Sequence, residues 1–305
     1  MPTTAEQAAQ TAAATPAPWA RSGRKAAIAQ GFDLVAHEYG TGSGGFFTTL
    51  GTRLAAAAGL RRGDRVLDLG CGRGAVLFAA AEAVGPDGYA AGIDLSPAMV
   101  HATADEAARR GLRNVAVRVG DAEDPGFPAH SFEAVLAGLM MFITPDPDAA
   151  LAAVRRVLVP GGRFAMSTFG PAEPGWAEAL DAALAFQDPP PAGAPTTVKG
   201  GNGRFDTVDG ITGTLAAAGF TEVATVEGEH VARIDADQWW ASAWASGRRA
   251  ALERIPADRR EEARRAAFAV VERLYVDGVL TRRTTVRITT ATGPATAEPV
   301  ASGGG

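Results

Sequence analysis

The stretch Arg65-Val-Leu-Asp-Leu-Gly-Cys-Gly-Arg-Gly-Ala-Val, residues 65–76, constrains the fold more than any other. Residues 66–69 are an apolar run carrying one acid, Asp68; Gly70, Gly72 and Gly74 follow at alternate positions, and the alanine-rich run from Ala75 reads as a helix. Strand, glycine turn and helix in that order make a nucleotide-binding loop at the edge of a parallel sheet. Glycines there accept unusual dihedrals and let a ligand lie against the backbone, and the helix start offers free N–H groups. Two ligand classes compete for such a loop. Gly70-x-Gly72-x-x-Ala75 fits the dinucleotide fingerprint, which would make the chain a nicotinamide-dependent oxidoreductase. Asp68 speaks against that, because a carboxylate just before the turn repels a pyrophosphate but suits a ligand bearing an ammonium and a sulfonium.

The rest of the chain repeats the alternation. Strands are expected at 65–69, 89–94, 115–119, 132–138 and 163–168, with helices at 75–84, 98–110 and 145–159 between them. Such alternation gives an α/β fold, a right-handed, doubly wound parallel sheet. Asp94 closes the second strand about 20 residues beyond the glycine loop, the spacing of an acid that accepts from ribose hydroxyls. A carboxylate can take two vicinal hydroxyls at once. Ser96 and Pro97 then supply an N-cap and a first helical residue. After the third strand stands Gly120-Asp121-Ala122-Glu123, and the apolar run 139–143 lies at the carboxyl end of the fourth.

Asp68-Leu-Gly70-Cys71-Gly72-Arg-Gly74 resembles, without a gap, the first motif D/E-x-G-x-G-x-G of the class I S-adenosylmethionine (SAM) methyltransferases. Phe32-Asp-Leu-Val-Ala-His37-Glu-Tyr39 is similar to the segment that precedes that motif in small-molecule members and lies over the cofactor there. Gly120-Asp121-Ala122-Glu123 and the run from Pro145 to Pro160-Gly-Gly162 are also familial. The likeness spans residues 32–169 and points to the type 11, ubiquinone–menaquinone-methyltransferase-like members. It implies a Rossmann-like seven-stranded sheet with the last strand antiparallel, and SAM as cofactor. The SAM contacts it implies are Tyr39, Asp68, Gly70, Cys71, Gly72, Asp94, Leu95, Met99, Asp121, Ala122, Gly138 and Leu139, with Asp121 accepting from the adenine amino group.

Beyond Thr168 the likeness thins to an F-x-T…L-x-x-AGF pattern leading into a sixth strand, 221–234. A seventh strand is expected at 284–290. The intervening 235–282 is too long for a hairpin loop and holds Trp239, Trp240 and Trp244 followed by two amphipathic helices near 246–254 and 257–276. The expected organisation is a disordered tail (1–22), N-terminal lid helices (23–59, with helices at 24–39 and 46–59), a SAM-binding core (60–234 with 283–291), a helical cap for substrate (235–282) and a second disordered tail (292–305). A Pro- and Gly-rich stretch, 188–203, reads as a long loop.

Composition limits the partners. The 305 residues carry a net charge of −5 and no dense basic cluster, which disfavours nucleic acid. No apolar run is long enough to span a membrane. Cys71 is the one cysteine, so neither a disulfide framework nor a cysteine metal site can form within the chain; a cytoplasmic setting and no metal are expected. The methyl of SAM is already activated, so alignment and exclusion of water are the main tasks; a general base is optional. His37, in the lid, and Glu173, after the fifth strand, are the candidate bases. Met141, Phe142, Trp239, Trp240 and Trp244 are the candidate substrate contacts, fitting a small, largely apolar acceptor. Asn/Asp-Pro-Pro-Tyr/Phe is absent after the fourth strand, which disfavours nucleobase amines. The expected activity is methyl transfer to a small metabolite at oxygen, carbon or nitrogen, natural-product tailoring being favoured. A SAM-binding regulator or rearrangement catalyst is the alternative.

Overall fold

The computed structural model describes residues 23–189 and 203–295. The tails expected at 1–22 and beyond 295, and most of the loop at 188–203, lie outside the described residues. Seven strands form one sheet: β1 (Arg65–Leu69), β2 (Tyr89–Asp94), β3 (Val115–Val119), β4 (Phe132–Gly138), β5 (Leu158–Phe169), β6 (Thr221–Ile234) and β7 (Leu280–Thr292). Their order is β3-β2-β1-β4-β5-β7-β6. The first five run parallel, and β7 is antiparallel to both its neighbours. Strand order reverses at β1, with β2 on one side and β4 on the other, and in such sheets a crevice opens there at the carboxyl ends. Leu67, Leu69, Ile93, Val135 and Met166 are buried together on one face of the sheet, with Phe132 and Phe164. The apolar runs of β1 and β4 follow from burial on both faces.

Ten α-helices surround the sheet: α1 (Arg24–Asp33), α2 (Phe46–Ala57), α3 (Ala75–Val84), α4 (Pro97–Arg109), α5 (Pro147–Val157), α6 (Trp176–Leu184), α7 (Val208–Ala217), α8 (Ala236–Trp244), α9 (Arg249–Leu252) and α10 (Arg260–Val271), counted among the described residues. Their starts are chemically marked. The Ser96 hydroxyl accepts from the Met99 N–H at the head of α4, with Pro97 next to it. Asp146 caps α5, and Asp235 and Gln238 form a reciprocal capping box on α8. Gly51 sits where α2 crosses the start of α3: a methyl there would lie 2.2 Å from the Ala75 carbonyl oxygen, so only glycine permits the approach.

Two expectations need correction. The first helix ends at Asp33, not at 39. Its end is drawn elsewhere: the Asp33 carboxylate accepts from the Ser96 hydroxyl (2.5 Å) and the Ala98 N–H (3.1 Å), and the Arg73 guanidinium donates to the Ala36 carbonyl. A continued helix would miss these partners. The chain turns instead through Gly40, Gly42, Gly44 and Gly45, all with positive φ, before α2. Secondly, the cap is not confined to 235–282. Helix α6 belongs to it, because Ala179 and Ala183 share one core with Trp239, Leu252, Ala263, Ala267 and Leu280. A helix absent from the sequence reading, α8, carries the three tryptophans. Strand β7 also begins before 284 and runs to Thr292, since β6 and β7 stay paired as far as Ile234 and Leu280.

Candidate active site

A cavity of about 590 Å³ opens at the carboxyl edge of β1, β2, β3 and β4. All the residues expected to touch the cofactor line it: Tyr39, Asp68, Gly70, Cys71, Gly72, Asp94, Leu95, Met99, Asp121, Ala122, Gly138 and Leu139. Ile28 and Phe32 of α1, and Phe47, Thr48 and Leu50 of α2, complete the wall. Tyr39 packs against Phe47 with ring centroids 4.8 Å apart. Burial, and the nearby Asp94, raise its phenol above the usual range.

The glycine loop is the floor. Gly70, Gly72 and Gly74 take φ of 62°, 49° and 80°, in the left-handed region that disfavours side chains. Asp94 pins the loop from β2. One oxygen accepts from the Gly72 N–H (2.8 Å) and the other from the Ser96 N–H (2.9 Å). A carboxylate has about four acceptor sites, so Asp94 can hold the loop and still accept from a diol. Burial pushes its pKa up, and the two N–H donors partly offset this.

Asp68 differs in having no such support. It is 1% exposed, and neither carboxylate oxygen has a hydrogen-bond partner among the described residues. Burial and then the charge of Asp94 hold its carboxyl well above the usual range; the Leu77 N–H at the head of α3, outside hydrogen-bond geometry, opposes them. A buried acid without a partner is costly. The wall that contains it suits a cation, and an α-ammonium of the kind SAM carries matches that requirement.

Asp121 follows β3. One of its oxygens accepts from the Glu123 N–H (2.9 Å) and the other from the Lys25 ammonium (2.6 Å). Lys25 also pairs with Glu123. Sequence reasoning missed Lys25: it lies 96 residues before Asp121 and belongs to no motif. Leu139 is a non-glycine residue at φ 54°, and its N–H donates to both the carbonyl (3.2 Å) and the hydroxyl (3.1 Å) of Ser167. Such local strain, held by a neighbouring strand, is common at functional sites. It turns the chain so that Leu139, Met140 and Ile143 line the cavity.

The expected catalytic and substrate residues fall elsewhere. His37 is exposed and outside the cavity lining. Glu173 accepts from the Trp176 indole N–H (2.8 Å) and the Arg283 N–H (2.9 Å), tying the segment after β5 to β7. Met141 is fully buried in the sheet core, and Phe142 packs on Phe169 at 5.8 Å. The chain makes a turn here, with the Ile143 N–H donating to the Met140 carbonyl, so residues 140 and 143 share the cavity side and 141 points away. Trp239, Trp240 and Trp244 pack within the cap with Trp176 and Phe268 rather than on the cavity wall. The cavity wall also includes Ser43, Thr48, Leu50, Met140, Ile143 and Thr144. Among the described residues, no group of His, Cys, Asp and Glu is arranged to hold a metal ion, and no helix is long and apolar enough to cross a membrane.

Comparison with known proteins agrees with this geometry. A family model described as a methyltransferase domain matches residues 60–189. Nocamycin O-methyltransferase of Saccharothrix syringae is 39% identical over 243 residues, 75% of this chain and 85% of that protein. Aklanonic acid methyltransferase DauC of a Streptomyces strain is 44% identical over 147 residues, 48% of this chain and 67% of that protein. Among solved structures, the YcgJ protein of Bacillus subtilis matches with a TM-score of 0.54 at 18% identity, covering 81% of this chain and 98% of that one. The [4+2]-cyclase SpnF matches at 0.51 and 24% identity, covering 80% and 81%. At these identities the structural likenesses speak to the fold alone.

Proposed function

The chain belongs to the class I SAM-dependent methyltransferases, and from that we propose that it methylates an oxygen of a small, largely apolar metabolite in bacterial natural-product biosynthesis. The observation that carries the cofactor part is Asp68, a buried carboxylate with no hydrogen-bond partner among the described residues, in the wall of a glycine-floored cavity. The relatives named for nocamycin and aklanonic acid support the acceptor class, and the apolar Leu50, Met140 and Ile143 beside that wall fit it.

When bound, SAM supplies a methyl group on a positively charged sulfur. In this reading Asp68 receives the ammonium of the cofactor, Asp94 the ribose hydroxyls, and Asp121 the adenine amino group. Phe47, Leu50, Met140 and Ile143 keep water from the transfer path, which removes hydrolysis as a competitor. The hydroxyls of Ser43, Thr48 and Thr144 can orient an acceptor oxygen by hydrogen bonding, leaving proximity and alignment as the main source of acceleration.

The test is transfer from SAM carrying a deuterated methyl group to a set of small, largely apolar compounds bearing hydroxyl, carboxyl, amine or acidic carbon groups, read by mass spectrometry. Labelled methyl on oxygen supports the reading; label on carbon or nitrogen alone overturns the oxygen assignment. Because a cyclase shares the fold, the same run must also follow the cofactor. Consumption of an acceptor with all the label retained in SAM would replace methyl transfer with a rearrangement.

A further inference from the structure

We infer that Arg73, in the glycine loop, binds the α-carboxylate of the cofactor and so forms with Asp68 a two-sided seat for its amino-acid end. The inference rests on the reading of the cavity as a SAM site and deepens it by assigning the charge that Asp68 leaves unmet. The motif D/E-x-G-x-G-x-G leaves position 73 open, so the assignment comes from the surroundings of this side chain.

The cavity wall contains four acids, Asp68, Glu82, Asp94 and Asp121, and two basic side chains, Arg73 and Arg110. Arg110 is already committed: its Nε donates to Glu106 (2.6 Å), and its guanidinium lies over the Phe78 ring at 4.5 Å. Arg73 is not. It is half-buried, and its one hydrogen bond among the described residues runs from Nη1 to the carbonyl of Ala36. Its Nε–H is buried and has no acceptor there, and no carboxylate pairs with it. A guanidinium carries five N–H donors, and a buried donor without an acceptor costs stability.

Asp68 and Arg73 therefore make opposite, unmet demands on one cavity. Asp68 lies near the end of β1 and Arg73 a few residues on, yet no ion pair joins them among the described residues. Between them Gly70 and Gly72, at φ of 62° and 49°, carry the backbone round. A ligand lying against these glycines meets both charges when it presents a cation to Asp68 and an anion to Arg73. An α-amino acid bears both on one carbon. A ligand with a single charge would leave one of the two side chains uncompensated in a poorly solvated wall. The planar fork of a guanidinium matches a carboxylate bidentately, which a point charge does not.

The guanidinium is also held in place. Ala36 is fully buried in the turn that follows α1, where its N–H donates to the Asp33 carbonyl (3.4 Å). The bond from Arg73 to the Ala36 carbonyl thus fixes the side chain between the glycine floor and the roof segment. Arg73 has two roles in this arrangement, a tie between floor and roof and a seat for the carboxylate. Only the second depends on whether the ligand carries that carboxylate, and this separates them.

The experiment titrates the full chain by calorimetry with three ligands that differ at the amino-acid end: S-adenosylhomocysteine, its decarboxylated analogue S-adenosyl-3-thiopropylamine, and 5′-methylthioadenosine. The parent should bind S-adenosylhomocysteine about tenfold or more tighter than the decarboxylated analogue. Arg73→Gln should bring these two to within about two- to threefold while holding methylthioadenosine within about twofold of its parental affinity. Arg73→Lys keeps the charge without the fork and should retain part of the preference; it also serves where the Gln variant does not fold. No carboxylate preference in the parent, or a full preference surviving in Arg73→Gln, would overturn the assignment. Equal weakening of all three ligands would overturn it too, since loss of the tie to Ala36 alone has that effect. In each of these cases S-adenosylhomocysteine still binds the parent and the cofactor reading stands. Failure of the parent to bind any of the three would overturn that reading, and the assignment with it.

Discussion

At the scale of single residues, Asp68 carries the most information. Its carboxyl is held above the ordinary carboxylate value by burial and by Asp94, so the folded, ligand-free chain holds a proton there that the unfolded chain gives up. The stability this contributes is full below the unfolded value and is lost as pH rises through the folded one. Asp68→Asn should therefore flatten the fall in Tm as pH rises above the ordinary carboxylate range, measured by calorimetry. Binding a cation beside Asp68 pulls its pKa back down, so SAM should release protons on binding and bind more tightly as pH rises. Titration in two buffers of different ionisation enthalpy reads this directly; a binding heat independent of buffer would mean that Asp68 does not meet a positive charge. Asp68 was legible in the sequence because it sits inside a continuous motif. Lys25 and Ser167 were not, because their partners, Asp121 and Leu139, lie on distant elements and no local pattern records them.

At the scale of elements, α1 acts as the roof of the cavity through Ile28 and Phe32 and is fastened by polar ties at both ends. Lys25 reaches Asp121 and Glu123 at one end; at the other, Asp33 accepts from the Ala98 N–H at the head of α4, and Arg73 holds the Ala36 carbonyl. The sequence showed an amphipathic segment there but not where it stops, since its end is set by α4 and not by a local breaker. Lys25→Met should speed dissociation of S-adenosylhomocysteine roughly fivefold, the worth of about 1 kcal/mol for a part-buried ion pair. It should also raise hydrogen exchange in 24–33, while Lys25→Arg restores most of both. Unchanged exchange and dissociation would reduce α1 to a packing element. The apolar run at 139–143 was legible as lying at the carboxyl end of β4, but not which of its residues face the cavity: Met140 and Ile143 line it, whereas Met141 is buried in the sheet core.

At the scale of the whole molecule, the sheet was legible nearly strand by strand, including the antiparallel seventh, because each strand is bounded by glycine turns or capped helices. The cap was legible as an insertion but not as a structure. Its core joins α6, α8 and α10 from two stretches of chain, and helical periodicity cannot tell a cap packed on itself from one lining a pocket. That distinction reverses an expectation about the tryptophans. Trp239→Ala with Trp244→Ala should lower stability by about 3–5 kcal/mol from the buried Trp239 alone, a fall in Tm of roughly 10 °C, while the protein that remains folded binds S-adenosylhomocysteine as the parent does. A double variant with parental Tm and lost acceptor turnover would return the tryptophans to the pocket wall.

Whether the glycine-floored cavity is a SAM site is decided by a calorimetric titration of the parent and Asp94→Ala with SAM. One site per chain is expected in the parent, and a loss of about 2–3 kcal/mol in the variant, because both the hydrogen bond to the Gly72 N–H and the acceptor for two ribose hydroxyls disappear. Parental affinity in a folded Asp94→Ala variant, or no binding of SAM by the parent, would contradict it.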